Sequence, residues 1–385
     1  MKITLKRTEE QVELVKAMAS KNRDVAYQAQ VALAEFIGPV LAEVVAQAPT
    51  LSNLFTKFSF NEDDNASIPL DLYYDITDED YLTVWSQNVA GGLPSNAATP
   101  VQSEMKFTTY RLDSAIDFDK RYASRSRLDV VSKTFTRLAQ EILLKQDRNS
   151  AALVFGALAG GNQAGTDKSA TTRGKSHVIA AGSAGRLILD DFNRLMTRAK
   201  RINQSWAGGT PVGEGNRGVT DLIVSPEVVQ SLREIAYNPI NTRAADGTTT
   251  LSNADTMIPA TDSMRDSIYS NAGIPEFYGV NIMELQEMGK GQRYNKIFAG
   301  FDPIVDTPAG NARAFADATD EVCLGLDRSR DVMLHAVATD AENGSEFSLS
   351  VDDQYSARQN KIGYYGSIEE GRMILDNRVL FGISL

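Results

Sequence analysis

Cysteine and histidine are scarce in this sequence. Its 385 residues include one cysteine, Cys323, and two histidines, His177 and His335. A single cysteine cannot close a disulfide within the chain. Zinc sites of the Cys₄, Cys₂His₂ or His₃ kind cannot be assembled from one copy of the chain either. We therefore expect no disulfide scaffold, no metal site of this kind and no cofactor.

Long apolar runs are also missing. The most apolar stretch, residues 31–48, contains Glu35, Pro39 and Glu43, whereas a membrane-spanning helix needs about 20 nearly uncharged residues. The first ten residues, MKITLKRTEE, lack the apolar segment of a secretory signal. These absences favour a soluble, intracellular protein that does not interact with a membrane.

Basic residues are outnumbered by acidic ones. The sequence has 39 Lys and Arg against 50 Asp and Glu, which gives a net charge of −11. This balance argues against a dedicated nucleic-acid binder, since such proteins gain affinity by neutralising phosphates. The length suits two or three domains, and the 42% apolar content is typical of globular proteins.

The N-terminal region, residues 8–47, has a helical pattern. Thr8 is placed to cap the first helix, with Gln11 at the third position after it. Gly38-Pro39 predicts a break, after which Pro39 opens a second short helix. The region is either a pair of core helices or an arm that packs on another subunit.

Residues 58–105 are unusually acidic, with nine acidic and no basic residues. Two extended runs, at residues 70–76 and 106–119, flank a tip rich in Gly, Pro and Asn, which predicts a long β-hairpin. Such a hairpin has too few large apolar residues for a core of its own and needs a surface to lie on.

The clearest predicted helix covers residues 124–159 and is about 50 Å long at ~1.5 Å per residue. It carries an apolar stripe spaced three and four residues apart and should end at Gly160-Gly161. The stripe consists of Leu128, Val131, Phe135, Leu138 and Ile142.

Shorter elements are predicted in the rest of the chain. Helices are expected at residues 187–202 and from Pro226 to about residue 237, and residues 208–218 read as a glycine-rich loop. Strands are predicted at residues 177–181, 219–225, 280–283, 294–301, 331–337, 346–351 and 378–383.

Charge of opposite sign occurs in neighbouring segments. The acidic hairpin is followed by a run, residues 106–148, with ten basic and six acidic residues. One interpretation is two solvated faces, and the other is docking of the hairpin on a neighbouring copy. The candidate contact residues are Asp63, Asp64, Asp78, Glu79 and Asp80 with Arg121, Arg125 and Arg127.

Catalytic and nucleotide-binding motifs are incomplete. Gly174-Lys175-Ser176 ends like a P-loop, but Ser169 stands where its first glycine belongs. The acidic clusters lack the spacing and the turn glycine of a calcium-binding EF-hand.

A serine hydrolase is the best enzymatic alternative. Ala181-Gly182-Ser183-Ala184-Gly185 approximates a nucleophile elbow, with Ser183 as nucleophile and His335 downstream as base. The candidate acids between them are Asp302, Asp306, Asp317 and Asp320. Against this reading, the preceding residues do not predict the parallel strands that such a sheet needs.

The order of the predicted elements resembles that of the major capsid proteins of tailed bacteriophages, the HK97-type fold. Short phrases add to the resemblance over essentially the whole chain. They are DLIVSPEVV (221–229), FYGVNIM (277–283), DDQYSAR (352–358), KIGYYG (361–366), EGR (370–372) and LDNRVL (375–380).

The resemblance implies an α+β fold with a defined domain order. It comprises an N-terminal arm (1–57), an extended hairpin or E-loop (58–119), a P-domain with a long spine helix (120–184), an α/β A-domain (185–320) and C-terminal P-domain strands (321–385). The loop at residues 208–218 would then lie near a capsomer axis.

The resemblance also implies a non-enzymatic role. The chain would assemble with itself into pentamers and hexamers of an icosahedral shell in the host cytoplasm and reside in the virion capsid. Expected partners are a separate scaffolding protein, a portal, a possible decoration protein, and packaged double-stranded DNA bound without sequence specificity. A related alternative is an encapsulin-like bacterial shell that packages an enzyme.

Overall fold

The computed structural model describes residues 8–46, 50–61, 67–69, 104–125, 127–161, 176–182, 185–202, 218–237, 276–277, 279–329, 331–339, 346–352 and 359–385. The fold is α+β, as the sequence predicted. The chain divides into two compact units. Unit 1 comprises Met1–Pro69, Glu104–Ser150 and Met333–Met373, and unit 2 comprises Leu70–Ser103, Ala151–Val332 and Ile374–Leu385.

Unit 1 begins with two helices, α1 (Glu9–Met18) and α2 (Arg23–Ala46). The predicted cap is confirmed, because the Thr8 hydroxyl accepts a hydrogen bond from the backbone N–H of Gln11 at 3.4 Å. The break between the helices lies at residues 19–22. There the Asn22 side chain accepts from the backbone N–H of Asp24 and starts α2.

The predicted break at Gly38-Pro39 is wrong, because α2 continues through both residues. Proline removes one helical hydrogen bond. However, Leu33, Ile37 and Leu41 of α2 are buried in the core of unit 1. Burial of these side chains on both sides of the proline outweighs the local cost, since tertiary packing routinely overrides helix propensity.

The main sheet of unit 1 has five strands. They are β1 (Thr56–Asn61), β4 (Tyr110–Asp119), β12 (Met333–Thr339), β13 (Ser348–Asp352) and β14 (Lys361–Ile374). The order is β1-β12-β14-β13, and β4 also pairs with β14. β1 runs parallel to β12, whereas β4 and β13 run antiparallel to β14. Chain segments far apart in sequence therefore form one sheet.

The sequence did not predict β14, the longest strand. Gly363, Gly366 and Gly371 interrupt its alternating pattern. Gly366 is needed for packing, since a Cβ there would lie 2.5 Å from the ring of Phe347.

The predicted hairpin is present at its base. Strands β2 (Ser67–Pro69) and β3 (Glu104–Lys106) pair antiparallel, with Ser67 opposite Lys106. The predicted strand at residues 70–76 and the predicted tip lie outside the described residues. The second predicted run, residues 106–119, contributes mainly to β4, which pairs with β14 in the main sheet.

The long predicted helix is confirmed as α4 (Leu128–Gly160), which follows the short helix α3 (Lys120–Ser124). All five residues of its apolar stripe are buried in the core of unit 1. Phe135 packs edge-on against Tyr364 of β14, with ring centroids 5.3 Å apart. The helix ends at Gly160, as predicted.

Unit 2 is built around an eight-stranded mixed sheet. The strands are β5 (Val178–Ala180), β6 (Asp221–Val224), β7 (Glu276–Phe277), β8 (Val280–Glu284), β9 (Ile304–Asp306), β10 (Ala312–Ala314), β11 (Val322–Leu326) and β15 (Leu380–Ser384). Their order in the sheet is β10-β9-β5-β15-β11-β6-β8-β7. Its core also includes residues of α5 (Leu189–Ile202) and α6 (Pro226–Tyr237), both of which the sequence predicted.

The predicted strand at residues 294–301 is wrong, because these residues lie mainly in helix α7 (Arg293–Ala299). Tyr294 and Phe298 are one helical turn apart and both are buried. They pack with Phe155 and Phe315, and the centroids of the Phe298 and Phe315 rings are 5.0 Å apart. A helical turn places both rings in this cluster, whereas strand geometry would place i and i+4 about 13 Å apart.

Candidate functional site

The three arginines predicted to form a contact surface lie close together in sequence and are exposed. Arg121 belongs to α3, Arg125 caps its C-terminal end, and Arg127 precedes α4. Their five predicted acidic partners, Asp63, Asp64, Asp78, Glu79 and Asp80, lie outside the described residues. The structure therefore locates one side of the predicted contact.

Arg121 is engaged within its own chain. Its Nε and Nη2 donate to Oδ2 of Asp119 at 2.9 and 2.7 Å, and its backbone N–H donates to Oδ1 at 2.9 Å. These hydrogen bonds lower the pKa of the Asp119 carboxyl and raise that of the Arg121 guanidinium. Both groups face solvent, where such pairs contribute little stability. The pair orients Arg121 and leaves the charges of Arg125 and Arg127 exposed.

Helix α2 presents apolar side chains on two faces. One face is buried within unit 1 through Leu33, Ile37 and Leu41. A second stripe, at 100° per residue, places Val25, Ala32, Phe36 and Val40 within an arc of about 80°. All four are exposed, and Phe36 is 56% accessible. We call this stripe the outer face of α2.

The residues of the hydrolase alternative have other roles where the structure describes them. Ser183 lies outside the described residues. His335 belongs to unit 1, and its Nε2 lies 3.0 Å from Oε2 of Glu370. Its carboxylate partner is therefore Glu370, which the sequence reasoning did not consider.

The four candidate acids of that alternative belong to unit 2. Asp306 accepts from the backbone N–H of Ser176 and pairs with Arg198 at 2.8 Å. Asp320 pairs with Arg313, and Asp317 accepts from the Asn295 amide at 2.9 Å. Asp302 is exposed in a left-handed turn with φ 50°. These contacts are those of structural residues in loops and at strand ends.

The end of the incomplete P-loop motif is also structural. The Ser176 hydroxyl is buried and donates to the backbone carbonyl of Ile304 at 2.7 Å. Gly174 and Lys175 lie outside the described residues.

A buried polar cluster lies in unit 1 around Glu370, whose side chain is fully buried. Its Oε1 pairs with Arg372 and accepts from the Tyr110 hydroxyl at 2.8 Å. Its Oε2 accepts from the Gln146 amide at 2.8 Å and from His335 at 3.0 Å. The carboxylate therefore joins β14, β4, β12 and α4.

The electrostatics of the cluster favour an ionised carboxylate. Burial opposes the charge, but the His335 hydrogen bond and the positive charge of Arg372 outweigh it and hold the pKa of Glu370 at about 2. Burial lowers the pKa of His335, so its imidazole is neutral near pH 7. Arg372 thus supplies the compensating charge, and neutral His335 donates through Nε2.

A cavity of about 140 Å³ lies beside this cluster in unit 1. His335 and Gln146 line it, and so does the ion pair between Lys57 and Glu346. Most of the remaining wall is apolar and comes from Leu41, Val45, Phe55, Ala139, Ile142, Val337, Phe347 and Ile368.

The sequence reasoning missed this cluster because it did not predict β14. Had residues 361–374 been identified as a strand, the two-residue period would have placed Glu370 and Arg372 on one face. An oppositely charged pair on one face of a buried strand is the signal that could have indicated it.

The described residues contain no group of three or more His, Cys, Asp or Glu side chains that could hold a metal ion. None of the described helices is long and apolar enough to cross a membrane.

Three comparisons with known proteins were made. No protein-family model matches the sequence, and no curated protein matches it either. Among solved structures, the capsid of a native GTA particle is similar at 12% identity, with 88% of this chain and 90% of that chain covered and a TM-score of 0.47. The structure titled Microbacterium phage Oxtober96 is similar at 13% identity, with 86% and 90% covered and a TM-score of 0.47.

An encapsulin is also among the similar structures. The holo-SrpI encapsulin complex of Synechococcus elongatus shows 10% identity, with 86% of this chain and 85% of that chain covered and a TM-score of 0.42.

Proposed function

We propose that this chain is a structural shell subunit, a major capsid protein of HK97 type. It assembles with itself into pentamers and hexamers of an icosahedral phage head that encloses double-stranded DNA. It has no catalytic role, acts in the virion capsid and is assembled in the host cytoplasm.

The outer face of α2 is the observation that carries this proposal. Large apolar side chains that form a stripe on an exposed helix face mark a candidate contact with another chain. The inner face of α2 is covered within unit 1, whereas Phe36 and Val40 are exposed. Covering them with another copy would remove apolar surface from water at about 25 cal/mol per Å², which favours association.

The order of elements supports the same proposal. Two N-terminal helices precede a hairpin base, a 33-residue helix and a second α/β unit. The chain then returns to the first sheet, and its last strand, β15, lies in the second unit. This is the order that the resemblance implies for arm, E-loop, spine helix, A-domain and C-terminal P-domain strands. On this ground we propose the domain boundaries given above, with a scaffolding protein and a portal as partners and a decoration protein as an optional partner.

Electron microscopy of the full-length chain tests the proposal. The chain is expressed alone and with its neighbouring genes, purified, and viewed in negative stain. Closed shells, tubes, or rings of five and six subunits are expected. A monodisperse monomer or dimer in both preparations would contradict the capsid function.

A pair of variants tests the role of α2. Phe36→Ser should shift the chain from assemblies to free subunits while the circular dichroism spectrum is unchanged. Tyr27→Ser is the matched control, because Tyr27 is a 46% exposed aromatic on the opposite side of α2. Equal assembly of both variants would exclude the outer face as a contact.

Shells that contain a packaged enzyme instead of DNA would support the encapsulin-like alternative.

A further inference from the structure

The cavity of unit 1 has the size of a single aromatic ring. Its volume of about 140 Å³ is close to the ~150 Å³ of an engineered apolar cavity that binds benzene. Six apolar side chains from α2, α4, β12, the segment before β13, and β14 surround much of the space, namely Leu41, Val45, Ile142, Val337, Phe347 and Ile368. Such a wall favours a flat apolar ligand.

Two polar side chains of the cavity wall, His335 and Gln146, are held in place by Glu370, and Ser52, Asn53, Lys57 and Glu346 also line the space. Nε2 of His335 and the amide nitrogen of Gln146 both donate to Glu370 Oε2. The atoms left to these two side chains, Nδ1 of His335 and Oε1 of Gln146, are hydrogen-bond acceptors. The cavity therefore combines a mainly apolar wall with a polar part in which two acceptor-bearing side chains are fixed by Glu370, which suits an apolar ligand that carries a donor.

A partly exposed ion pair forms part of the cavity wall. Lys57 and Glu346 line the space, and their side chains are 43% and 26% accessible. An exposed ion pair is held weakly, since such pairs contribute little stability.

We propose that this cavity is a binding site for a small amphipathic aromatic molecule of the phenol class. The ring occupies the apolar space, and the hydroxyl donates a hydrogen bond to His335 or Gln146. The site lies within one copy of unit 1, so it does not depend on shell assembly.

Calorimetric titration of the unassembled full-length chain with phenol and with benzene tests this site. Phenol should bind saturably and about tenfold more tightly than benzene, since one hydrogen bond to a fixed acceptor contributes about that factor. Phenol should also raise the melting temperature, because a ligand that binds only the folded state stabilises it. No saturable phenol binding, or equal affinity for the two molecules, would overturn the proposal.

Matched substitutions in α4 locate the ligand. Ala139 lines the cavity and is buried, so Ala139→Leu should fill the space and weaken phenol binding at least tenfold. Ala152→Leu is the control, because Ala152 is exposed on the same helix. Should Ala139→Leu fail to fold, Val45→Phe fills the cavity from α2 instead. Phenol binding that persists unchanged in a folded cavity-filling variant would place the ligand elsewhere and refute the site.

Discussion

At the scale of single residues, Glu370 is the most consequential side chain of unit 1. It is a fully buried carboxylate whose partners come from three other elements and from Arg372 on its own strand. A buried ion pair is not in itself strongly stabilising, because desolvation offsets the attraction. Removing one partner is costly, because it leaves the other charge buried and uncompensated.

The pKa of Glu370 gives this cluster a defined pH dependence. The folded-state pKa of about 2 lies below the ordinary value of 4.5. The resulting stabilisation is present above pH 4.5 and is lost as the pH falls towards 2. A shift of this size corresponds to roughly 3 kcal/mol at most. Burial also lowers the pKa of His335 and of His177, so stability should begin to fall below about pH 6.5.

Replacing Glu370 by Gln tests the cluster. Glu370→Gln leaves the Arg372 charge buried without a counter-charge, and about 3–5 kcal/mol of stability should be lost at pH 7. The variant should also lose the Glu370 contribution to the pH dependence below pH 4.5. The measurement is thermal and urea unfolding from pH 7 to pH 3. Glu369→Gln is the control, since Glu369 is the neighbouring, partly exposed residue of β14. Equal effects of the two substitutions would show that the cluster is unimportant.

At the scale of secondary-structure elements, the sequence predicted the helices and strands whose apolar residues recur at a regular spacing. Helices α4, α5 and α6 carry regular apolar stripes, and Pro226 opens α6 as predicted. The expected strands at residues 177–181, 219–225, 280–283, 331–337, 346–351 and 378–383 correspond to β5, β6, β8, β12, β13 and β15. These elements could be predicted because their local pattern agrees with their tertiary environment.

The elements that could not be predicted depend on distant packing. The glycines of β14 obscure its alternation, and one of them makes room for Phe347. Helix α7 has only seven residues, too few for periodicity to distinguish a helix from a strand. Its aromatic side chains pack on the rings of Phe155 and Phe315. In both cases the determining contact involves residues that are not adjacent in sequence.

Helix α2 gives a prediction of its own. Since the helix continues through Pro39, the backbone carbonyl four residues earlier has lost its usual donor. Pro39→Ala should restore that hydrogen bond and stabilise unit 1 by up to about 3 kcal/mol. Pro226→Ala is the control, because Pro226 is the first residue of α6, where the N–H has no helical partner. The measurement is the melting temperature of each variant relative to the wild type. No stabilisation by Pro39→Ala would indicate that α2 is broken there in solution.

At the scale of the whole molecule, the sequence indicated surfaces better than it indicated sites. Charge alone led to the prediction that Arg121, Arg125 and Arg127 contact another copy of the chain. The structure shows Arg125 and Arg127 exposed, and the contact itself stays a prediction. The buried cluster and its cavity were not predicted, because they require the register of β14 with β4. Burial of a charge depends on the assembled sheet, whereas a charged run can be read directly from the sequence.

The remaining prediction concerns how copies of the chain would recognise one another. If the acidic hairpin docks on the arginines of a neighbouring copy, neutralising Asp78, Glu79 and Asp80 should weaken assembly and leave the fold of the subunit intact. The test variant is Asp78→Asn/Glu79→Gln/Asp80→Asn, and the readout is the fraction of assembled chain by sedimentation at low and high salt. Wild-type assembly should decrease at high salt, because the screening length falls from about 10 Å at 0.1 M to about 3 Å at 1 M. Assembly of the triple variant should be weak already at low salt and should depend less on the salt concentration.

A second triple variant separates docking from net charge. Glu276→Gln/Glu284→Gln/Asp302→Asn makes the same change in net charge at three exposed acidic residues of unit 2. It should assemble like the wild type, because a specific contact depends on where the charges lie and not on their sum. If both triple variants assemble like the wild type at both salt concentrations, the hairpin does not dock by charge. The apolar outer face of α2 would then have to drive association by itself.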